Sequence, residues 1–225
     1  MDISKAQDIL DYWLPKNGLA DCNKWFLKSR NYDEEIKNKF GSLLKEAEKG
    51  KGYGWLVSKD SFIAYIILMD QFSRHIYRDK PDAYKNDKGT IIFTEMGFDI
   101  YKDDLVGYEF MFAFMPYMHT ENINLQKKGL DYFLNHIKLY SYDNNPSTRR
   151  KLNNPPNVFL TDEIKLSQYD KEYMMLLSMD KHVRGHLETI NKFGRFPKRN
   201  NILNRISTKK ELEYLQSNDI KNRPY

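Results

Sequence analysis

Apolar residues recur every three or four positions along most of the chain, which is the period of an α-helix. Strict alternation of apolar and polar residues, typical of a half-buried strand, does not persist over six residues. Strand-favouring β-branched residues are scarce, with only four Val and seven Thr. The pattern predicts an all-α fold of antiparallel helical hairpins joined by short connections. The predicted helices are 4–14, 33–49, 61–78, 81–86, 90–101, 105–118, 121–140, 169–193 and a short one opened by a capping box at 208–211.

Residues that start or stop helices mark the ends of these elements. Pro15 follows the first predicted helix, Gly50 lies just beyond the second, and Gly194 ends the longest one. Pro116 predicts a bend or an end in an otherwise apolar helix. The stretch 141–160 is rich in Asn and Pro and is too long for a tight connection, so it predicts a loop-like insertion.

The length of 225 residues fits a single helical domain covering 1–225. The longest apolar run, from Phe62 to Met69, is far shorter than the roughly 20 residues of a membrane span, so no membrane association is predicted. The N-terminus lacks the pattern of a signal peptide, and the single Cys22 cannot form an internal disulfide. These features predict a cytoplasmic protein.

The charge balance is mildly basic, with 36 Lys and Arg against 31 Asp and Glu and a formal net charge of +5. This excess permits an anionic partner without requiring one. The ten arginines are more informative, because the planar guanidinium fork binds carboxylates and phosphates in a way that ammonium cannot. Five of them lie in two segments, 74–78 and 195–205.

In the first of three polar segments, Asp70, Arg74 and Arg78 are spaced i, i+4 and i+8 on an apolar helix. A charge buried there needs a partner, because an unpaired one is expensive. One interpretation is an internal salt bridge between Asp70 and Arg74. The other is functional, with Asp70 orienting Arg74 while Arg78 contacts a ligand.

The second segment places His119 just before a predicted helix and Glu121 in its first turn. The helix dipole alone explains an acidic residue at that position. The two residues form an H-x-E pair, but no third ligand has a diagnostic spacing, so no metal site is predicted. His119 is a candidate for acid–base work near neutral pH.

The third segment, 186–208, is the densest group of polar residues. It contains His186, Arg195, Pro197, Lys198, Arg199 and Asn200. Pro197 predicts the first residue of a new helix, whose free N–H groups and dipole favour an anion. Cations are electrostatically unfavourable at the positive end of a helix dipole, so their presence there predicts either a bound anion or a carboxylate partner. The carboxylates considered for this pairing are Asp70, Glu121 and Glu188.

These segments, in this order, resemble a bacterial family classed as a domain of unknown function, number 924. The matching residues are Trp25 and Phe26; Leu68, Asp70, Gln71, Phe72, Arg74, Tyr77 and Arg78; Pro116, His119, Thr120 and Glu121; and His186, Phe193, Gly194, Arg195, Phe196, Pro197, Arg199 and Asn200. Lys192 and Lys198 depart from the family pattern. The resemblance covers nearly the whole chain and implies a tetratricopeptide-like all-helical domain, without implying an activity.

The leading functional hypothesis is a cleft that binds an anionic small molecule bearing a phosphate or a carboxylate. The residues expected to bind it are Arg74, Arg78, Arg195, Arg199 and Asn200. His119 and His186 would donate or accept protons, with hydrolysis or transfer at a phosphoryl or acyl centre as the reaction class and no cofactor predicted. Asp70 and Glu121 would orient the other groups.

Two other function classes stay open. Basic residues at 149–151, 198–199, 205 and 209–210 would suit an RNA-binding or RNA-processing protein. A tetratricopeptide-like scaffold that binds a protein partner is the third class, by analogy of fold alone.

Overall fold

The computed structural model describes residues 3–14, 23–50, 52–142 and 168–217, in which ten α-helices and no strands are found. Their bounds are α1 Lys5–Trp13, α2 Asn23–Phe26, α3 Arg30–Ala47, α4 Lys59–Ile66, α5 Ser73–Ile76, α6 Asp87–Tyr101, α7 Gly107–His119, α8 Ile123–Tyr142, α9 Gln168–Phe193 and α10 Lys209–Gln216. Three short 3₁₀ segments lie at Tyr53–Val57, Pro81–Tyr84 and Pro197–Arg199. The all-α prediction is confirmed.

The central element of the fold is the continuous segment from α4 to α5. Its two helices are joined by a π-helical stretch, Ile67–Phe72, in which every side chain is buried. The Ser58 hydroxyl caps its start by accepting a hydrogen bond from the Ser61 backbone N–H. Helices α1, α3, α6 and α7 pack against this segment, which therefore runs through the middle of the core.

Aromatic rings fill much of this core. Phe72 packs edge-on against Trp13 with ring centroids 5.1 Å apart and lies 4.7 Å from the ring of Phe40. Trp13 and Phe72 are 1% and 0% exposed. Large rings bury about 150–250 Å² each, so they supply apolar contact area that the modest aliphatic content does not.

Most helix ends agree with the sequence prediction. The Thr208 hydroxyl accepts from the Glu211 N–H while the Glu211 carboxylate accepts from the Thr208 N–H, so the predicted capping box is confirmed. Gly194 ends α9 with φ +68°, a conformation that glycine adopts without strain. Sequence reasoning missed α2, the 3₁₀ turn at 53–57 and the π-helical character of 67–72.

Two expectations about proline need correction. Pro116 lies inside α7, which continues to His119, so it does not end the helix. Pro197 opens a single 3₁₀ turn of three residues and not an α-helix. So short a turn lacks the aligned peptide dipoles that were expected to attract an anion at its start. The predicted insertion at 141–160 falls outside the described residues from 143 onward, and residues 141 and 142 still belong to α8.

Within the described ranges, no helix is both long enough and apolar enough to cross a membrane. The tetratricopeptide-like form of the fold stays a prediction.

Packing between α6 and α4 generates a stability prediction at Gly97. A Cβ at this position would overlap the ring of Phe62, which is fully buried. Gly97→Ala should therefore destabilise the protein by about 1–3 kcal/mol, measured by urea unfolding. Gly89→Ala on the same helix is the control, because a Cβ there meets nothing within 4 Å and replacing glycine in a helix stabilises it by roughly 0.5–1 kcal/mol. Equal effects of the two substitutions would contradict the packing argument.

Candidate functional site

The π-helical stretch places a charged residue inside the core. Asp70 is 1% exposed and lies in this stretch, which adds a residue to the ordinary helical turn. Such π-bulges recur at functional sites because they redirect a side chain out of the regular helical register. The Ser73 hydroxyl donates to the Met69 carbonyl at 2.7 Å and so satisfies a backbone oxygen in this irregular turn.

Asp70 forms a buried dyad with His119 from the end of α7. The Nδ1 atom of His119 is 2.7 Å from Oδ1 and 2.9 Å from Oδ2 of Asp70, and the Gln71 amide donates to Oδ2 at 2.5 Å. Burial acts to raise the pKa of Asp70, but the charge and hydrogen bond of His119, with Arg74, keep it below its usual range. When the imidazole of His119 carries a single proton, the ionised carboxylate accepts that proton from Nδ1 and the lone pair is on Nε2.

Asp87, the first residue of α6, joins two of the predicted arginines. Arg74 donates from Nη2 to Oδ1 at 2.7 Å, and Arg199 donates from Nη1 to Oδ2 at 2.9 Å. Arg74 also donates to the carbonyl of Ala83 and lies 3.7 Å from Asp70. One carboxylate therefore links the first motif to the last, across 112 residues of sequence between Asp87 and Arg199.

Arg199 lies between two aromatic rings. Its guanidinium carbon is 4.6 Å from the centroid of Tyr84 and 4.4 Å from that of Phe196. The residue is 8% exposed, and burial together with the charge of Arg74 lowers its pKa. Among the residues that the structure describes, Nη1 is the only nitrogen of this guanidinium with a hydrogen-bond partner. The remaining donors of the fork are thus held in place by stacking and not by acceptors.

His186 on α9 adjoins both His119 and Arg199. Its ring centroid is 6.3 Å from that of His119 and 5.5 Å from that of Phe196. Nδ1 donates to the His182 carbonyl at 2.7 Å, so the lone pair is on Nε2. Burial, with smaller effects of the charges of His119 and Arg199, lowers the pKa of His186 to about 3. With that pKa the imidazole is neutral at pH 7 and a weak base, so His186 is suited to accept a hydrogen bond and not to donate or take up a proton.

Arg78 lies in a different cluster. The helix ends at Ile76, so the i+8 spacing from Asp70 does not keep Arg78 on the same face. Its Nε and Nη2 donate to the two oxygens of Asp33 on α3 at 2.5 and 2.6 Å, and Nδ1 of His75 is 2.8 Å from Oδ1 of that carboxylate. The structure thus places Arg78 in a clamp between α3 and α5.

Arg195 and Asn200 belong to the C-terminal cap. Arg195 donates from Nε and Nη2 to the Glu211 carboxylate at 2.7 and 2.8 Å, and from Nη2 to the Ile206 carbonyl. Hydrogen bonds from Arg195 and the cap lower the pKa of Glu211 to about 2. Asn200, 1% exposed, donates from Nδ2 to the Ser207 hydroxyl at 3.0 Å. Both side chains face the turn that leads into α10.

Glu121 ties the segment after α9 to the start of α8. It accepts from the Phe196 N–H at 2.8 Å and from both terminal nitrogens of Arg205 at 2.7 and 3.0 Å. Burial acts to raise the pKa of Glu121, but these hydrogen bonds and the charge of Arg205 lower it. These contacts hold Glu121 against the backbone of the segment that carries Phe196 and Arg199, and its orienting role stays a prediction.

The structure brings together four of the predicted ligand-binding and catalytic residues and separates three. Those that meet are Arg74, His119, His186 and Arg199, with Asp70 beside them, whereas Arg78, Arg195 and Asn200 do not. Sequence reasoning missed Asp87 and Tyr84. Acidic residues are common in the first turn of a helix because the helix dipole favours them there. Nothing in the sequence therefore marked Asp87 as the partner of two arginines. Within the described residues, no group of His, Cys, Asp and Glu is arranged to hold a metal ion.

Comparisons with known proteins agree with this pattern of motifs. The sequence pattern of DUF924, described as bacterial proteins of unknown function, matches residues 9–219, and the chain belongs to this family. A solved structure of a protein of unknown function from Agrobacterium tumefaciens is similar, with 25% sequence identity and a TM-score of 0.68. The similarity covers 95% of this chain and 97% of that one. No protein with a curated description matches.

The buried dyad generates a prediction about stability. Asp70→Asn removes the charge that accepts from His119 and faces Arg74, so unfolding free energy should fall by about 3–5 kcal/mol. Asp180→Asn is the matched control, because Asp180 is 38% exposed and pairs with Arg184 on the surface of α9, where such pairs contribute about 0–1 kcal/mol. Guanidinium unfolding of both variants measures the difference. Similar losses in the two would show that Asp70 is not held as an ionised buried partner.

Proposed function

We propose that this member of the DUF924 family binds a small anion, bearing a phosphate or a carboxylate, at the guanidinium of Arg199. The observation that carries the proposal is the state of this side chain. It is nine-tenths buried and stacked between Tyr84 and Phe196, and within the described residues Nη1 alone has an acceptor. A preorganised fork with unused donors in a nearly dry environment is a strong binding group for an oxyanion.

The charges around Arg199 support an anion over a neutral ligand. Asp87 is shared between Arg74 and Arg199, and Asp70 is engaged by His119, so neither carboxylate is available to Arg199 alone. The next cation, Lys198, has its pKa lowered by burial and by the like charge of Lys28. Together with burial, the charge of Arg74 also lowers the pKa of Arg199, and an anion beside Arg199 would relieve the repulsion between these two guanidinium groups.

The histidines supply the chemistry for a reaction on the bound anion. In this proposal, Nε2 of His119 takes a proton from an attacking hydroxyl group or water, and Asp70 stabilises the imidazolium that forms. His186 stays neutral and accepts a hydrogen bond. Arg199 and Arg74 would stabilise the negative charge that develops at a phosphoryl or acyl centre, so hydrolysis or transfer is the reaction class that suits these groups.

Fewer observations support the two alternative functions, RNA binding and a scaffold for a protein partner. Of the basic residues assigned to an RNA surface, Arg199 is buried and Arg205 is paired with Glu121, while 149–151 lie outside the described residues. RNA binding would appear as an affinity for labelled RNA that falls steeply with salt. A scaffold for a protein partner stays a prediction from the family's fold, and its signature would be a stable complex unaffected by Arg199→Gln.

Binding of inorganic phosphate tests the proposed anion site. Phosphate at about ten times its dissociation constant should stabilise the protein by roughly 1.4 kcal/mol and raise its Tm by about 3–6 °C. Arg199→Gln should abolish this shift, and Arg199→Lys should retain part of it because the charge remains without the fork. Arg184→Gln, an exposed arginine on α9, is the control and should respond like the unaltered protein.

The same measurements include the result that would contradict an anion site at Arg199. If Arg199→Gln and Arg184→Gln show the same shift as the unaltered protein, phosphate binds elsewhere. Circular dichroism of each variant without phosphate confirms that it is folded, and Arg199→Lys keeps the test available if the Gln variant unfolds. Sulfate and acetate series separate a phosphate-sized site from one that prefers a carboxylate.

A second experiment separates catalysis from binding. The protein is assayed for phosphate release from a set of phosphomonoesters, and His119→Gln should lower the rate at least about 100-fold, the contribution of one general base. Phosphate binding by this variant should be unchanged, because Arg199 is retained. Turnover that is independent of His119 would remove its acid–base role, and an absence of turnover with any ester would leave a binding protein.

A further inference from the structure

The groups of the candidate site differ in their access to solvent, and Tyr84 lies on the open side. Asp70, His186 and Arg199 are 1%, 6% and 8% exposed. The side chain of Arg74, in contrast, is 20% exposed, and Tyr84 is half-buried. Solvent therefore reaches this group of residues on the side of Arg74 and Tyr84.

The ring of Tyr84 contacts both arginines of the site. The guanidinium carbons of Arg74 and Arg199 each lie 4.6 Å from its centroid, a distance typical of a cation–π contact. Burial acts to lower the pKa of both guanidinium groups, and the phenol of Tyr84 is among the groups that act to raise it. The phenol oxygen therefore lies within electrostatic range of each arginine.

Contacts on either side of Tyr84 hold the backbone that carries its ring. Tyr84 closes a 3₁₀ turn, and the carbonyl of the preceding Ala83 accepts a hydrogen bond from Arg74. Two residues after the ring, the buried side chain of Asn86 donates to the Glu48 carboxylate at 3.1 Å. A side chain that is held in place before a ligand arrives loses less conformational entropy on binding, so Tyr84 is preorganised as a ligand contact.

The hydroxyl of Tyr84 is a donor without an acceptor in the described part of the chain. No described residue forms a hydrogen bond with it, and it is not one of the polar atoms that are buried without a partner, so it reaches solvent. Arg74, in contrast, uses both terminal nitrogens, which donate to the Ala83 carbonyl and to Asp87. The donors that stay open to a ligand are therefore those of Arg199 and this hydroxyl.

The number of free oxygens on an anion decides whether it can use both kinds of donor. A carboxylate and a phosphodiester each present two free oxygens, which the planar fork of one guanidinium binds as a pair. A phosphomonoester presents three, so one oxygen remains for another donor after the fork has bound two. The hydroxyl of Tyr84, beside the fork of Arg199, is in the position to supply that donor.

We infer that Tyr84 makes the anion site at Arg199 selective for a phosphate group with three free oxygens, as in a phosphomonoester. The inference rests on the proposed anion site and names its ligand class. The fork of Arg199 binds two of the oxygens, and the Tyr84 hydroxyl donates to the third. Arg74, held by the same ring and by Asp87, adds positive charge beside the phosphate. Carboxylates and phosphodiesters bind through the fork alone.

Two anions of equal charge test the role of the hydroxyl, because methyl sulfate has three free oxygens and dimethyl phosphate has two. Calorimetry measures the binding of both, and of inorganic phosphate and acetate, to the unaltered protein and to Tyr84→Phe. The variant should bind methyl sulfate and phosphate at least about 10-fold more weakly, the contribution of one hydrogen bond to a charged group. Its affinity for dimethyl phosphate and acetate should be unchanged, since neither uses the hydroxyl.

Tyr132→Phe is the matched control. Tyr132 is a half-buried tyrosine on α8 whose ring packs against Phe98 and Tyr117 and also lies near a cation, Lys128. All four anions should bind this variant as they bind the unaltered protein. Tyr84→Leu removes the ring as well as the hydroxyl, so it should weaken the binding of all four anions, whereas Tyr84→Phe keeps the ring and should weaken only two.

Absorbance provides a readout that does not depend on affinity. Methyl sulfate should change the near-ultraviolet absorbance of tyrosine in the unaltered protein and in Tyr132→Phe, because a phenol that donates to an anion is in a new environment. The change should be absent in Tyr84→Phe at saturating methyl sulfate. An identical change in Tyr84→Phe would show that the hydroxyl does not touch the anion and would overturn the inference.

The outcomes separate this inference from the anion site on which it rests. If Arg199→Gln abolishes binding but Tyr84→Phe weakens methyl sulfate and dimethyl phosphate equally, or weakens neither, the site at Arg199 stands and the selectivity of Tyr84 is wrong. If none of the four anions binds the unaltered protein, or if their binding survives Arg199→Gln, the proposed function fails and the inference fails with it.

Discussion

The polar interior depends on the hydrogen bonds that the carboxylate of Asp87 accepts. This carboxylate accepts from Arg74 and from Arg199, so it neutralises part of two charges that come from the first and the last polar motif. Neither guanidinium could be buried against Tyr84 without an acceptor, because an unpaired charge in an apolar environment costs several kcal/mol. Positioning of the first and last motifs therefore follows from one residue at the start of α6.

The same constraint explains why several motif arginines do not converge. Arg78 forms a two-pronged pair with Asp33, and Arg195 does the same with Glu211. In each case the guanidinium joins two segments that are far apart in the sequence. Arg199 differs, because stacking buries it while only one of its nitrogens has an acceptor among the described residues. That difference, and not the presence of arginine, distinguishes a candidate binding group from an architectural one.

Sequence reasoning predicted the fold well because helical periodicity, prolines, glycines and caps act locally. The capping box at Thr208 and the end of α9 at Gly194 are examples. The site was predicted only in part, because salt-bridge partners are set by tertiary packing. The spacing of Asp70 and Arg78 implied one face of a regular helix, but the π-helical stretch and the helix end at Ile76 separate them. No spacing in the sequence links Arg199 to Asp87.

The pairing of Glu121 with Arg205 and with the Phe196 N–H also orders events during synthesis of the chain. Helices α1 to α9 precede residues 196–205 in the chain, and their contacts with one another do not require that segment. Glu121 and Asp87, in contrast, stay without their distant partners until residues 196–205 have been made. The polar cluster around His119 and Arg199 can therefore be completed only after the last motif has been synthesised.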